Sequence, residues 1–182
     1  ENDLVRLPDP TNVLKYPHVV MTGPAQRGYV VTGSTYSHTP TSSDSESKWR
    51  SFDGITGDNA RTWKTWQMYT TAGVYSPGSY GRTASSITDT SSTQHSGEYL
   101  VLETPHKIKL SSWEVRAEYA PRRIVDYAIL GSDTNSSDAN KTGWTLLTSG
   151  TFAAQTDVTA TVSSPTTAFK YHAIVVKSVT NN

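Results

Sequence analysis

Apolar residues come in short bursts along this chain, mostly at every second position, and nowhere at the three-to-four spacing of an amphipathic helix. The first burst is Gly28-Tyr29-Val30-Val31-Thr32-Gly33. The next clear one is Glu98-Tyr99-Leu100-Val101-Leu102-Glu103, which Thr104-Pro105 is expected to stop. Residues 108–119 make the longest strand candidate. Ile108 and Leu110 share one phase, while Trp113, Val115 and Ala117 share the other, so a bulge or bend is expected at Ser111-Ser112. Further strands are expected over 124–130, 144–147, 158–162 and 169–176, the last apolar on both faces and hence central. Trp113, Val115, Tyr127 or Leu130, and Val175 or Val176 are the expected core.

Between the bursts lie polar stretches. Residues 34–47 and 85–96 are rich in Ser and Thr and read as loops, and 69–81 reads as a Tyr/Gly/Pro loop. Pro8, Pro10, Pro17 and Pro24 break any regular element near the start, so residues 1–25 read as an arm or linker and 26–182 as one folded domain. Many short strands, frequent turn signals and no helical period predict an all-β antiparallel jelly-roll sandwich of about eight strands.

Composition narrows the function. The 182 residues carry 16 Lys and Arg against 16 Asp and Glu, a formal net charge of +0. A neutral chain gains little from counterion release, so nucleic acid is not an expected partner. The run Ala173-Ile174-Val175-Val176 is too short for membrane insertion. With no cysteine, disulfides and thiolate zinc sites are excluded. The opening Glu1-Asn2-Asp3 reads as a processed product or as part of a longer protein. No G-x-S-x-G or H-E-x-x-H occurs, and His18, His38, His95, His106 and His172 are scattered, so catalysis is not expected. Glu114 and Glu118 flank Arg116 as a solvated charge ladder.

Three segments, in order, carry a family resemblance. They are Phe52-Asp53-Gly54 with Thr62-Trp63; Gly97-Glu98-Tyr99-Leu100-Val101-Leu102-Glu103 with Pro105 and Ile108; and Asp126-Tyr127-Ala128-Ile129-Leu130-Gly131-Ser132 with Trp144-Thr145-Leu146-Leu147. Over residues 28–179 the chain resembles the discoidin-like, or coagulation-factor C-type, superfamily of galactose-binding-like domains. That resemblance implies a jelly roll whose loops at one end hold ligand. It implies a non-catalytic carbohydrate-binding or adhesion module of an extracellular, cell-surface or virion-surface protein. The alternative is a structural protein of a larger surface assembly that binds neighbouring subunits. Expected partners are therefore a glycan, a surface protein or neighbouring subunits.

The resemblance also suggests sites. Asp53, Asp58 and Thr62 match a loop that wraps structural calcium in similar domains, although the chain has no Glu in its last strand; the other reading of Asp53-Gly54 is a tight turn. Tyr119-Ala120-Pro121-Arg122 resembles a sugar-binding stretch in which the Arg donates to hydroxyls, but Arg123-Ile124-Val125-Asp126 follows where an Asn is expected. Trp63 is assigned to the core. Trp66, Tyr69, Tyr75 and Tyr80 are candidates for stacking on a ligand, or alternatively for packing the loop onto the sandwich. Asn135-Ser136-Ser137 and Asn140-Lys141-Thr142 are glycosylation sequons in one polar loop.

Overall fold

The computed structural model describes residues 14–34, 48–54, 68–80, 83–116, 123–153 and 157–180. Ten strands are found among them: β1 Ala25–Gln26, β2 Tyr29–Gly33, β3 Ser86–Asp89, β4 Gln94–Ser96, β5 Glu98–Ile108, β6 Ser112–Arg116, β7 Asp126–Ser132, β8 Asn140–Thr151, β9 Asp157–Thr161 and β10 Phe169–Val176. The described residues include two 3-10 turns, Lys48–Phe52 and Pro77–Tyr80, and no α-helix. The main sheet runs β1-β2-β5-β10-β7-β8-β3-β4, and β6-β9 forms a separate two-stranded sheet. The all-β, antiparallel-rich sandwich expected from the pattern is the fold of this chain.

One pair departs from the antiparallel rule: β3 runs parallel to the first part of β8. β8 is twelve residues long, and its second part pairs antiparallel with β7. It therefore serves two neighbourhoods, and the sheet coils around it. At the far edge, Gly97 N–H donates to the Ser85 carbonyl, which brings the start of β3 back to the start of β5.

The coiled sheet has an apolar cluster on each face. One holds Ile87, Tyr99, Val101, Ala128, Leu130, Trp144, Ala173 and Val175. The other holds Leu100, Leu102, Tyr127, Ile129 and Ile174, covered by Met21, Trp49 and Ala160, with Trp113 and Val115 packed against it. Strict alternation along β5, β7 and β10 supplies both faces, which is why these strands read as continuous apolar runs. Tyr127, Leu130, Val175 and Val176 are all buried, as expected. Trp113 and Val115 are only half-buried, because a two-stranded sheet covers the core but leaves its own edges in water.

Several sequence expectations need correction. Thr104-Pro105 does not stop β5. The pairing with β10 slips there, from Glu103↔Tyr171 to Ile108↔Phe169, and the extra residues bulge out. Proline is tolerated in such a bulge because no ladder N–H is needed from it. The Thr104 hydroxyl holds the bulge, meeting the carbonyls of His106 at 2.7 Å and Lys170 at 3.0 Å. The phase change at Ser111-Ser112 is more than a bend: β5 ends at Ile108, and β6 starts in the other sheet.

Residues 85–96 are a hairpin rather than a loop. Asp89 closes its turn by accepting the Ser91 and Thr93 N–H groups and meeting the buried His95 ring at 3.0 Å. Of the expected arm, residues 1–13 lie outside the described residues, and residues 14–25 run along the domain. Met21 is wholly buried, its N–H donates to the Phe52 carbonyl, and β1 pairs with β2 through the turn at Arg27-Gly28. Tyr16, Val19 and Met21 are apolar anchors that override the prolines around them.

His172 on β10 is 1% exposed, and neither ring nitrogen makes a close hydrogen bond among the described residues. Burial pushes its pKa down from 6.5 to about 4, weakly opposed by the Ile108 backbone and Asp133. The unfolded chain binds a proton below pH 6.5 that the folded chain refuses until about pH 4. Stability is therefore complete above pH 6.5 and falls progressively as pH drops toward 4. The expected loss is on the order of 3 kcal/mol. Urea unfolding at several pH values checks this, because His172→Leu should flatten the slope across that window. An unchanged slope would show that His172 titrates normally.

Candidate functional site

Three segments meet at the end of the sandwich where β5 begins. They are residues 68–80, residues 123–124 and residues 177–180. Isolated bridges join Tyr69 to Tyr75, Val74 to Ser178 and Ile124 to Val179. Val179 N–H donates to the Gly73 carbonyl at 3.0 Å, and Thr180 N–H donates to the Arg123 carbonyl at 2.8 Å. Gly73 has φ +76°, and a Cβ there would lie 1.9 Å from the Val179 carbonyl oxygen. Only glycine lets the loop approach the C-terminal segment this closely. Val74 projects from the same loop at 57% exposure, a large apolar side chain at the tip.

Beneath these loops lies a polar floor centred on Glu98, which is fully buried at the first position of β5. The Ser34 hydroxyl donates to one carboxyl oxygen at 2.9 Å. Ser85 at 2.8 Å and Tyr75 at 3.3 Å meet the other. Tyr69 donates to the Val176 carbonyl at 2.8 Å, and its oxygen accepts the Glu98 N–H at 3.4 Å. Lys48 donates to the carbonyls of Gly33 and Ser34. Burial raises the pKa of Tyr69 well above the phenol range, with Glu98 adding to the shift. Burial also raises Tyr75, and pushes Tyr99 up to about 12. These phenols remain protonated, so Tyr69 and Tyr75 keep the protons they donate. Burial lowers Lys48, and Glu98 opposes that shift. The network ties the ends of β2 and β10, the starts of β3 and β5, and the 69–75 loop into one rigid base.

The sequence-predicted residues are placed as follows. Tyr69 is 6% exposed and belongs to the floor. Tyr75 is half-buried, with its hydroxyl turned to Ser85 and Glu98. Both rings pack the loop rather than form an open platform, which is the other reading that the sequence allowed for them. Trp66, Arg122, Asp58 and Thr62 lie outside the described residues, as do Trp63 and the Tyr80 side chain. Arg123, next to Arg122, is part of the loop end, and Met68, two residues from Trp66, is buried under it.

Asp53 is 3% exposed and faces the Arg50 guanidinium at 3.5 Å. Arg50 thus supplies positive charge beside Asp53, while Asp58 and Thr62, the other residues of the expected calcium loop, lie outside the described residues. Among the described residues, no three acidic or histidine side chains gather as metal ligands. Asn140 is exposed at the start of β8, its side-chain oxygen accepting from Ser86 at 3.0 Å. Asn135 is half-buried and donates to Thr32 at 3.4 Å. Sequence reasoning missed the Glu98 floor. The available signal was a Glu opening the apolar run Tyr99–Leu102, directly behind a glycine.

No protein-family model and no curated protein matches this chain. Solved structures do. The chain is similar to the family 32 carbohydrate-binding module from Streptococcus pneumoniae EndoD. The TM-score is 0.53 at 12% identity, over 85% of this chain and 86% of that one. It is also similar to chitosan-binding module 2 of a chitosanase/glucanase from Paenibacillus sp. IK-5, solved with chitotriose. There the TM-score is 0.50 at 14% identity, over 83% and 85% of the two chains. A third match is the family 32 module of C. perfringens NanJ, solved with galactose, at TM-score 0.38 and 19% identity. It takes in 46% of this chain and 57% of that one, so the chain spans a little over half of that module. The first two likenesses show that the chain shares the fold of these modules, the fold that the three sequence motifs implied.

Proposed function

We propose that this chain is a non-catalytic carbohydrate-binding module that takes its ligand at the loop end built on Glu98. The observation that carries this reading is the convergence of residues 68–80, Arg123 and residues 177–180 on one rigid floor. It gathers, at one end of the sandwich, the chain neighbours of Trp66 and Arg122. Binding sites are commonly loops held by a rigid scaffold. The fold's likeness to modules described as carbohydrate-binding, one solved with chitotriose, supports the same reading. A neutral module has little long-range steering, so its affinity rests on stacking and directed hydrogen bonds. Trp66 supplies a stacking face and Arg122 a fixed fork of donors. Such a module would act outside the cell, anchoring a larger protein to glycans at a surface. The exposed Asn140 would suit glycosylation in a secretory host.

Arg122→Ala and Trp66→Ala are each expected to weaken glycan binding about tenfold or more, with the melting temperature unchanged. Glycan-array screening followed by calorimetry with the best ligand checks this. Wild-type affinity in both variants would remove the site from this end of the molecule.

A further inference from the structure

The opposite end of the sandwich carries an aromatic groove that the loop-end reading does not use. It is an open groove of about 480 Å³ lined by Leu14, Lys15, Tyr16, His18 and His106. His106 lies in the β5 bulge, eight positions along the strand from Glu98, which puts the groove roughly 25 Å from the Glu98 floor. Its rings are set edge to face. Tyr16 meets His18 at 6.4 Å and His106 at 6.0 Å between centroids, and His18 meets Tyr29 at 5.3 Å.

We infer that this groove is a second binding site, separate from the loop end, for one neutral sugar ring. The chemistry follows from what the exposed His18 and His106 and the half-buried Tyr16 offer. Tyr29 is wholly buried, and its hydroxyl contacts His18 Nδ1 as its one hydrogen-bond partner among the described residues. Burial also raises the Tyr29 pKa, which keeps the hydroxyl protonated. With no other partner for it among the described residues, the phenol proton is assigned to Nδ1. A neutral His18 then carries its own proton on Nε2, at the opposite edge of the ring. His18 becomes a fixed donor, held by a buried tyrosine.

The Tyr16 hydroxyl lies 3.5 Å from His106 Nε2, a long contact that a ligand hydroxyl could replace. The Tyr16 ring offers an apolar surface between the two imidazoles. Lys15, the lining residue with a fixed charge, is already paired with Glu114 at 3.1 Å. Among the described residues an anion thus finds no unpaired lysine or arginine lining the groove, and a purely apolar ligand would leave the imidazole donors unmet. A hexose ring presents a C–H face to Tyr16 and hydroxyls to the histidines, and the volume has room for one such ring.

The inference stands apart from the loop-end proposal, and one experiment separates them. Amide shifts of the intact chain are followed during titration with methyl β-galactoside and with N-acetylglucosamine at millimolar concentrations. Shifts at Tyr16, His18 and His106 are expected. Tyr16→Ala and His106→Ala should each weaken this response about tenfold, as loss of a central contact does. Responses at Gly73, Val74 and Arg123 should persist in both variants, whatever their size. His106 is exposed, so its variant is expected to fold even if Tyr16→Ala does not. Shifts confined to the loop end, no shift at either end, or groove shifts that survive both substitutions would each overturn the second site. Groove shifts with a silent loop end would support it while removing the loop-end proposal.

Discussion

Trp144→Ala is expected to lower the unfolding free energy by about 3–5 kcal/mol. Trp144 is 1% exposed and is the largest of the fully buried side chains. It lies where the parallel and antiparallel parts of β8 meet, in one cluster with Ile87 of β3, Ala128 and Leu130 of β7, and Val175 of β10. Those neighbours belong to different strands of a closed coil, so none can move into the void without dragging its ladder. The cavity term should therefore be near its full size. For a domain of this length the melting temperature would fall by about 10 °C or more. Leu146→Ala, two residues on and 38% exposed, is the internal control and should cost less than about 1 kcal/mol. Thermal and urea unfolding of both variants decide the matter. Equal losses would mean that Trp144 does not organise the cluster it shares with Ile87 and Leu130.

Glu98→Ala should cost nearly as much, for a different reason. Removing the carboxyl group leaves the Ser34, Ser85 and Tyr75 hydroxyls facing a space where their acceptor was. It also leaves the half-buried Lys48 ammonium without that neighbouring acid. A buried polar centre stripped of its acceptor is expected to lose about 3–5 kcal/mol. Glu98→Gln preserves shape and acceptor oxygen but brings an NH₂ among donors, so a loss of about 1–2 kcal/mol is expected. The order Ala worse than Gln, read from urea midpoints, separates a hydrogen-bonding role from simple filling of space. Glycan affinity measured on Glu98→Gln would then report how rigid the floor must be. Equal stability of all three proteins would show that Glu98 is not the centre of this network.

The regular half of the chain was legible because both faces of its strands are buried. The 169–176 run was placed on its strand to the residue, and the Ser111-Ser112 phase change marked a true change of sheet. Such runs are long enough that periodicity, turns and burial agree. The β3-β4 hairpin was not legible. It has a single apolar anchor, Ile87, and the rest of its support is polar: Ser86 with Asn140, Gln94 with Ser86, His95 with Asp89. A Ser/Thr-rich strand buried through such partners carries no hydrophobic alternation. Tyr69 and Tyr75 were half-legible for a related reason. A tyrosine in a Gly/Pro loop serves equally well as a ligand platform or as a strut. What decides is the presence of a buried acceptor, and Glu98 lies more than twenty positions away in sequence.

The parallel pairing of β3 with β8 also bears on how the chain reaches this state. Ser86 must meet Asn140 across fifty-four residues of separation, with β4, β5, β6 and β7 all threaded between them. No hairpin can nucleate that contact, and closing so large a loop is entropically late. The β3-β4 hairpin can form alone, but it docks only once β5, β7 and β10 present their shared face. Ile87 should therefore belong to the part of the molecule that is unformed in the folding transition state. Trimming it to valine would speed unfolding and leave the refolding rate almost untouched.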